Sequence, residues 1–233
     1  MGIKEDEKDV RMLLIRDEQA LTAYCVFKKE NTEHMLTGSY HENSNGFTLS
    51  SEDMTIEIEG IVYEDADNKD QVVLSDEMED VASRKLFLER TSGGGSSSRD
   101  ELYEYYDTQM VEDFTDLVVG WMKEDNRELL CENMRYPVGV YFNNCKFTIN
   151  SAEDFILYYD QIMTSDYREA IQQEFTRYLF ADYQGVHFGS DNGLWFSPTA
   201  DGDGFEVISL FIDQDSDLGD KLSYDRVDGI QKG

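Results

Sequence analysis

The stretch from residue 136 to residue 212 constrains the fold of this chain more than any other. Its pattern predicts a strand pair, two capped amphipathic helices, and then strands over residues 184–188, 194–196 and 205–212. The last strand is apolar on both faces, with Phe205, Val207 and Phe211 alternating with Ile208, Leu210 and Ile212. Because helices cover only one face of such a sheet, the other face needs a partner subunit or another domain as its cover.

The segment before this stretch predicts a long amphipathic helix. Apolar residues recur there at steps of three and four, namely Leu102, Tyr106, Met110, Phe114, Leu117 and Trp121. We expect this stripe to face the core. Residues 125–128 have the spacing of a capping box and begin a short second helix. Residues 100–212 are therefore predicted to form one α+β domain.

The chain before residue 92 has a different hydrophobic pattern, with short strand-like runs instead of helical periodicity. Short runs rich in β-branched and aromatic residues cover residues 10–16, 21–28, 34–41, 47–50, 54–63, 72–74 and 85–88. They predict an antiparallel meander in residues 1–91 that closes, or half closes, into a β-barrel-like domain. Gly and Ser dominate residues 92–99, which we interpret as a linker, or alternatively as a long loop within one domain. Residues 213–233 are predicted to be an acidic, polar, mobile tail.

The charge balance limits the partners. The chain has 50 Asp and Glu residues against 20 Lys and Arg residues, a net charge of −30. Such a surface repels phosphate backbones, so neither nucleic acid nor an anionic membrane is an expected partner. A basic protein, a cation or water alone suits it better. No run of about 18 apolar residues predicts a membrane-spanning helix.

The cysteines and the sequence motifs give no catalytic or cofactor signal. Cys25, Cys131 and Cys145 lie far apart without metal-ligand spacing, which predicts free thiols, or at most a pair between Cys131 and Cys145. No nucleophile elbow, P-loop or dinucleotide-binding motif is present, and no cofactor is predicted. Asp213, Asp215 and Asp217 alternate as in a calcium loop, but Leu218 stands where such a loop needs glycine. We treat these three residues as a weak surface metal candidate.

The second domain resembles the nuclear transport factor 2-like superfamily. The resemblance rests on the order of helices, hairpin and closing strands, and on five stretches: residues 136–138, 147–149, 153–162, 184–189 and 193–196. It implies an α+β cone, in which a curved antiparallel sheet wraps around helices, with a deep pocket at its open end. It also implies a possible homodimer through the cone sheet.

The first domain more weakly resembles the lipocalin-like β-barrel modules of bacterial exported proteins. A Gly-x-aromatic step followed by alternating strands carries this likeness, at Gly38-Ser39-Tyr40 and again at residues 60–63. Both resemblances imply a secreted or periplasmic protein, if an export signal has been removed. Composition alone leaves the compartment open, the cytoplasm included.

Candidate acid–base residues follow from the cone. Enzymes of the superfamily place Asp, His or Tyr inside it for proton transfer, and the candidates of that type here are His187, Asp182, Tyr158, Tyr159 and Asp160. His187 falls between Val186 and Phe188 on the opposite face of the strand. Its alternative interpretation is an ordinary residue on a partly exposed strand face.

Three functional hypotheses follow. The first is a non-enzymatic bacterial binding or scaffold protein that takes an unknown small ligand or protein at the cone pocket or the domain interface. The second is a small-molecule isomerase, dehydratase or hydrolase that uses acid–base residues in the cone. The third is an acidic inhibitor or immunity-type protein that masks a basic partner.

Overall fold

A computed structural model describes residues 10–28, 31–64, 70–76, 84–89, 98–142, 145–190, 192–212 and 230–232. The chain divides into two compact units, Met1–Leu102 and Tyr103–Gly233. This boundary lies a few residues later than predicted. Arg99, in a short 3-10 turn, pairs with Glu33 at 2.9 Å, which ties the turn to unit 1. Most of the predicted linker, residues 92–97, lies outside the described residues.

Unit 1 is a single seven-stranded antiparallel sheet. Its strands are β1 Val10–Asp17, β2 Ala20–Phe27, β3 Thr32–His41, β4 Gly46–Ser51, β5 Glu57–Glu64, β6 Asp70–Asp76 and β7 Arg84–Glu89. Each strand pairs with the next one along the chain, which confirms the predicted meander. The predicted barrel is wrong, because β1 and β7 are the two ends of the sheet and no described residues pair them. Closure needs a matched tilt and stagger across all strands, which short local patterns do not encode.

The core of unit 1 lies on one face of this sheet. It is formed by Leu21, Ala23, Cys25, Leu36, Phe47, Leu49 and Ile58. Position 38 of β3 requires glycine, because the backbone of β4 approaches it so closely that a Cβ there would overlap the carbonyl oxygen of Thr48. The Gly-x-aromatic step of the sequence therefore marks a tight strand contact.

The described residues of unit 2 form four helices and seven strands. The helices are α1 Thr108–Glu124, α2 Arg127–Glu132, α3 Ala152–Ile162 and α4 Ser165–Gln172. The strands are β8 Met134–Phe142, β9 Cys145–Ile149, β10 Phe180–Asp182, β11 Gly185–Gly189, β12 Gly193–Pro198, β13 Phe205–Ile212 and β14 Ile230–Lys232. Each helix begins at a side-chain cap, provided by Asp107, Asn126, Ser151 and Thr164 in turn.

The strands of unit 2 form one mixed sheet in the order β10-β11-β12-β13-β8-β9-β14. The α+β class is confirmed, but the sheet is not purely antiparallel as predicted, because β13 pairs with β8 in parallel. Between β8 and β13 the chain passes through two helices and four strands, and such a long connection permits parallel pairing. The predicted tail also differs at its end, where β14 pairs with β9; residues 213–229 lie outside the described residues.

Helix α1 turns a different stripe to the core than the sequence predicted. Phe114 and Trp121 are buried as expected, and Val111 and Val118 are buried with them. By contrast Leu117 is 53% exposed and Met110 36% exposed. The buried stripe is shifted by one residue around the helix, which a pattern of apolar residues on both sides does not distinguish.

The Cys25 thiol should make unit 1 sensitive to alkaline pH. Burial, assisted by the charge of Glu33, raises the pKa of Cys25 from 9.0 to about 12. The unfolded chain releases this proton near pH 9 while the folded chain keeps it. The free energy of unfolding is therefore unaffected by this group below pH 9, and falls by up to about 1.4 kcal/mol per pH unit above it.

The test is urea unfolding followed by circular dichroism from about pH 7 to about pH 10.5, for the wild type and Cys25→Ala. Tryptophan fluorescence separately follows unit 2, which holds both tryptophans, Trp121 and Trp195. Cys25→Ala should be less stable than the wild type by a constant amount below pH 9. Above pH 9 its free energy of unfolding should fall less steeply with pH than that of the wild type. Parallel pH curves for the two proteins would contradict this account.

Candidate functional site

The space between the helices and the sheet of unit 2 is filled by aromatic side chains. The ring of Phe114 on α1 lies 5.0 Å from Phe196 and 5.8 Å from Phe205, centroid to centroid. Trp121 lies 5.9 Å from Phe114, and all four side chains are buried. Such contacts fill an interior at the density of a solid core. The pocket implied by the cone resemblance would have to occupy this space.

The best-formed depressions among the described residues lie elsewhere. A groove of about 500 Å³ lies on the solvent side of α1 and α2, and has Trp121 and Gly120 in its lining. A second, of about 220 Å³, lies over β3, β4 and β5 of unit 1, beside Gly38 and Met54. Both are open to solvent rather than enclosed.

The face of the sheet away from the helices carries a continuous series of rings, which we name the aromatic row. His187 lies 5.6 Å from Trp195 and 5.9 Å from Phe211, and Phe180 lies 6.1 Å from Trp195. Tyr141 stacks on Phe211 at 4.8 Å with 7° between the ring planes. The row therefore crosses five neighbouring strands, from β10 to β8. The ammonium group of Lys146 extends it onto β9, 5.4 Å from the Tyr141 ring.

Two glycines let these rings lie close to the sheet. A Cβ at Gly193 would lie 3.0 Å from Nε2 of His187, and a Cβ at Gly139 would lie 3.2 Å from the Tyr141 ring. Both gaps are occupied by an aromatic side chain from a neighbouring position. Most rings of the row are half-buried, and Phe180 is 55% exposed.

A β-bulge decides which residues of β13 join the row. The pairing of β13 with both neighbours shifts between Val207 and Ser209, so Ile208 is an extra residue. Phe205, Val207, Leu210 and Ile212 point inward and are buried, while Phe211 points outward. The expectation that Phe205, Val207 and Phe211 share one face is therefore wrong, because the bulge reverses the alternation.

Charge is sparse on this face. The pairing register places Ser209, Gly139, Gly193 and Lys146 beside the rings, and none of these is acidic. The carboxylates of Asp182 and Glu206 lie at its margins, and Glu206 pairs with Arg135 at 2.9 Å. Among the described residues of a chain with 50 acidic residues, this face is therefore a region of low negative charge.

The five candidate acid–base residues lie in different parts of unit 2. His187 belongs to the aromatic row, and Tyr158 is buried on α3. Asp182 ends β10, where its carboxylate accepts a hydrogen bond from the backbone of Gln184 at 2.8 Å. Its carbonyl accepts one from Tyr106 Oη at 2.7 Å, and burial together with the Asp182 charge raises the pKa of Tyr106. Both bonds hold a turn in place.

Tyr159 and Asp160 meet in a charged cluster where the helices join. The hydroxyl of Tyr159 donates to Asp125 at 2.9 Å, and Arg127 pairs with Asp160 at 2.7 Å and with Asp125 at 3.4 Å. Arg168 also binds Asp125. Burial raises the pKa of Tyr159, although the positive charge of Arg127 acts to lower it. The raised pKa keeps the hydroxyl protonated, so that it can donate its hydrogen bond. The cluster thus fastens α1, α2, α3 and α4 together through one carboxylate.

Asp125 has this role because it ends helix α1 in the left-handed conformation, with φ of 53°. That backbone turn aims its carboxylate at α3 and α4 rather than at solvent. A left-handed residue other than glycine costs on the order of 1 kcal/mol, which three partners for one carboxylate offset. We regard this cluster as structural.

The metal candidates are not placed by the structure. Asp213, Asp215 and Asp217 lie outside the described residues. Within the residues that are described, no group of three or more His, Cys, Asp or Glu side chains is arranged to hold a metal ion. Cys25 and Cys131 are buried free thiols, and Cys131 contacts the hydroxyl of Tyr136 at 3.1 Å.

Comparison with protein-family models, with curated proteins and with solved structures finds no match for this chain. Among its described helices, none has the length and apolar character needed to cross a membrane. The aromatic row is therefore the main candidate site on geometry alone. The sequence indicated its presence through the two apolar faces of β13. It did not indicate Tyr141, Trp195 or Lys146, because single residues in alternating strands give no signal of their own.

Variants of the two aspartates should separate a structural role from a chemical one. Asp125→Asn should lower the free energy of unfolding by about 1–2 kcal/mol, because Arg168 loses its charged partner and Arg127 loses one of its carboxylate partners. Asp160→Asn should change it by no more than about 0.5 kcal/mol, because the Asp160 side chain is 76% exposed. Urea unfolding measured by tryptophan fluorescence gives both values. A larger loss for Asp160→Asn than for Asp125→Asn would contradict this assignment.

Proposed function

We propose that this chain is a non-enzymatic bacterial binding or scaffold protein that acts outside the cytoplasm, with a nuclear transport factor 2-like cone as its C-terminal unit. The element order of unit 2 supports the cone: two helices, a hairpin, two helices and four strands, with β13 beside β8. The compartment rests on the sequence resemblances.

The aromatic row is the observation that carries the binding proposal. Interface cores are rich in aromatic side chains and poor in charge, and the outer face of this sheet has both properties. Flat sheet faces also pack well against one another, at about 10 Å. The partner proposed first is a second copy of this chain, because a face rich in aromatic rings and poor in charge can pack against the identical face of a second copy around a two-fold axis.

Charge gives this self-association a recognisable signature. Two chains of −30 repel each other, so the rings must provide attraction against a long-range repulsion. Added salt screens the repulsion and leaves apolar contact intact. The dimer should therefore tighten as the ionic strength rises.

The enzyme alternative has less support. Acid–base catalysis needs its groups within reach of one substrate, whereas His187, Asp182 and the Tyr159–Asp160 pair lie in separate contacts. The packed interior around Phe114 also leaves a cone ligand little room.

Sedimentation equilibrium of the full chain tests the proposal across a salt series. Phe211→Ser removes the ring that contacts both His187 and Tyr141 and should raise the dimer dissociation constant roughly ten- to hundred-fold, as expected for an aromatic residue within an interface. Leu157→Ser is the matched control, because Leu157 is 65% exposed on α3 and outside the row. It should leave the constant unchanged.

Two results would sink the proposal. One is a monomer mass at every concentration and salt level tested. The other is a dimer that Phe211→Ser does not weaken, or that salt weakens. The emission of Trp195, which lies within the row, provides a second readout, because burial at an interface should shift it to shorter wavelength.

A further inference from the structure

Helix α1 exposes a second apolar surface, on the side opposite its packed face. Leu117 is 53% exposed and Leu129 of α2 is 40% exposed, and both line the depression on these helices. Trp121 forms part of its floor and is only 7% exposed. Gly120 leaves room in it, because a Cβ added there would meet no atom within 4 Å. We name this depression, of about 500 Å³, the α1–α2 groove.

The apolar residues of the groove are not explained by the fold. The core contact of α1 uses the faces of Phe114, Val118 and Trp121, and Leu117 adds nothing to it. A glycine in the middle of a 17-residue helix costs about 1 kcal/mol relative to alanine. Exposed leucines that line a depression together with a glycine are typical of a surface that binds the side chains of a partner.

The edge of the groove is acidic. Asp113, Asp116 and Glu124 line it, and no lysine or arginine is among its lining residues. Asp116 pairs with Arg177 at 2.8 Å, so the negative charge of Asp116 is partly neutralised within the chain. The remaining charge adds to the strongly negative field of the whole protein. An apolar floor with an acidic edge is complementary to a helix that carries leucine-like residues on one face and lysine or arginine beside them.

We propose that the α1–α2 groove binds a cationic amphipathic helix of another protein. Apolar side chains of that helix would lie between Leu117 and Leu129, above Gly120. Its basic side chains would reach the carboxylates at the edge, which orient the partner and speed its approach. This inference is independent of the proposed sheet-face dimer, since α1 turns its other face to the sheet. A basic partner of this kind is the one expected under the third hypothesis, in which the chain is an acidic inhibitor or immunity-type protein.

The probe is a synthetic lysine–leucine peptide of about 18 residues, long enough to form a helix when bound. A scrambled peptide keeps its composition without the apolar stripe, and a glutamate–leucine peptide keeps the stripe with opposite charge. Binding to the full chain is measured by calorimetry at low salt. In a Trp195→Phe background, Trp121 in the groove floor is the single fluorescent reporter.

Two changes in the groove should weaken binding of the lysine–leucine peptide. Leu117→Ser removes an apolar contact and should raise the dissociation constant roughly ten-fold. Gly120→Lys fills the groove with a cationic side chain and should abolish binding. Because lysine has a higher helix propensity than glycine, a folding defect does not explain that loss. Leu157→Ser and Leu157→Lys, at an exposed position of α3, are the matched controls. Both should bind the peptide like the wild type.

The charge contribution is tested separately. Asp113→Asn combined with Glu124→Gln should weaken binding several-fold at low salt, and the difference should vanish at high salt. Glu104→Gln combined with Asp203→Asn removes the same charge from exposed positions outside the groove. It should have a smaller effect. The wild-type affinity itself should fall as salt rises, opposite to the dimer of the sheet face.

Each contrary result is decisive. Equal binding of the scrambled peptide would mean that the acidic surface attracts any polycation, and the groove assignment would be overturned. Unchanged affinity in Leu117→Ser and Gly120→Lys would overturn it as well. Loss of binding in Phe211→Ser would place the peptide on the aromatic row instead. A chain that remains monomeric yet binds the lysine–leucine peptide through the groove would sink the sheet-face proposal alone.

Discussion

The packing of Phe114 against the inner face of the sheet is the interaction on which unit 2 depends. One ring on α1 contacts Phe196 and Phe205 from two strands and Trp121 from its own helix. This contact holds the helix layer at a fixed height over the sheet and fills the space between them. Because these rings fill the space between the helices and the sheet, the candidate binding surfaces of unit 2 are on its outside.

Two such surfaces follow from this layered arrangement, and their charges differ. The sheet face outside the core carries the aromatic row, with Lys146 at one end and, among the described residues, the carboxylates of Asp182 and Glu206 at its margins. The α1–α2 groove has an apolar floor beside Asp113, Asp116 and Glu124. In a chain of −30, low charge on one surface favours contact with a like chain, while acidic edges on the other favour a basic partner. We therefore expect salt to affect the two proposed contacts in opposite directions.

Much of the secondary structure could be predicted, because its signals are local. The seven described strands of unit 1 follow from short β-branched runs between turn residues, and α2 begins at Asn126, one residue after the start of the capping box predicted at residues 125–128. The closed barrel was wrong, since the relation between β1 and β7 depends on geometry accumulated over the whole sheet. Leu117 was assigned to the core because an apolar residue on a helix edge has the same pattern whether it is covered or exposed.

The candidate site was within reach of the sequence only in outline. The alternation of His187 with Val186 and Phe188 predicted its face, and the structure places it there beside Trp195. Tyr159 and Asp160 gave the pattern of acid–base residues, yet Asp125 draws them into a structural cluster from 34 and 35 positions away along the chain. Partners so distant in sequence leave no local pattern to read.

The amino-acid sequence by itself determined the class of each unit, the order of most of its elements and the acidic character of the whole, because propensity, capping and net charge are properties of neighbouring residues or of simple sums. Only the tertiary structure decided that β13 lies parallel to β8, that the bulge at Ile208 turns Phe211 outward, and that aromatic rings fill the interior. These features arise from contacts between distant segments, whose energies are settled only when the segments meet.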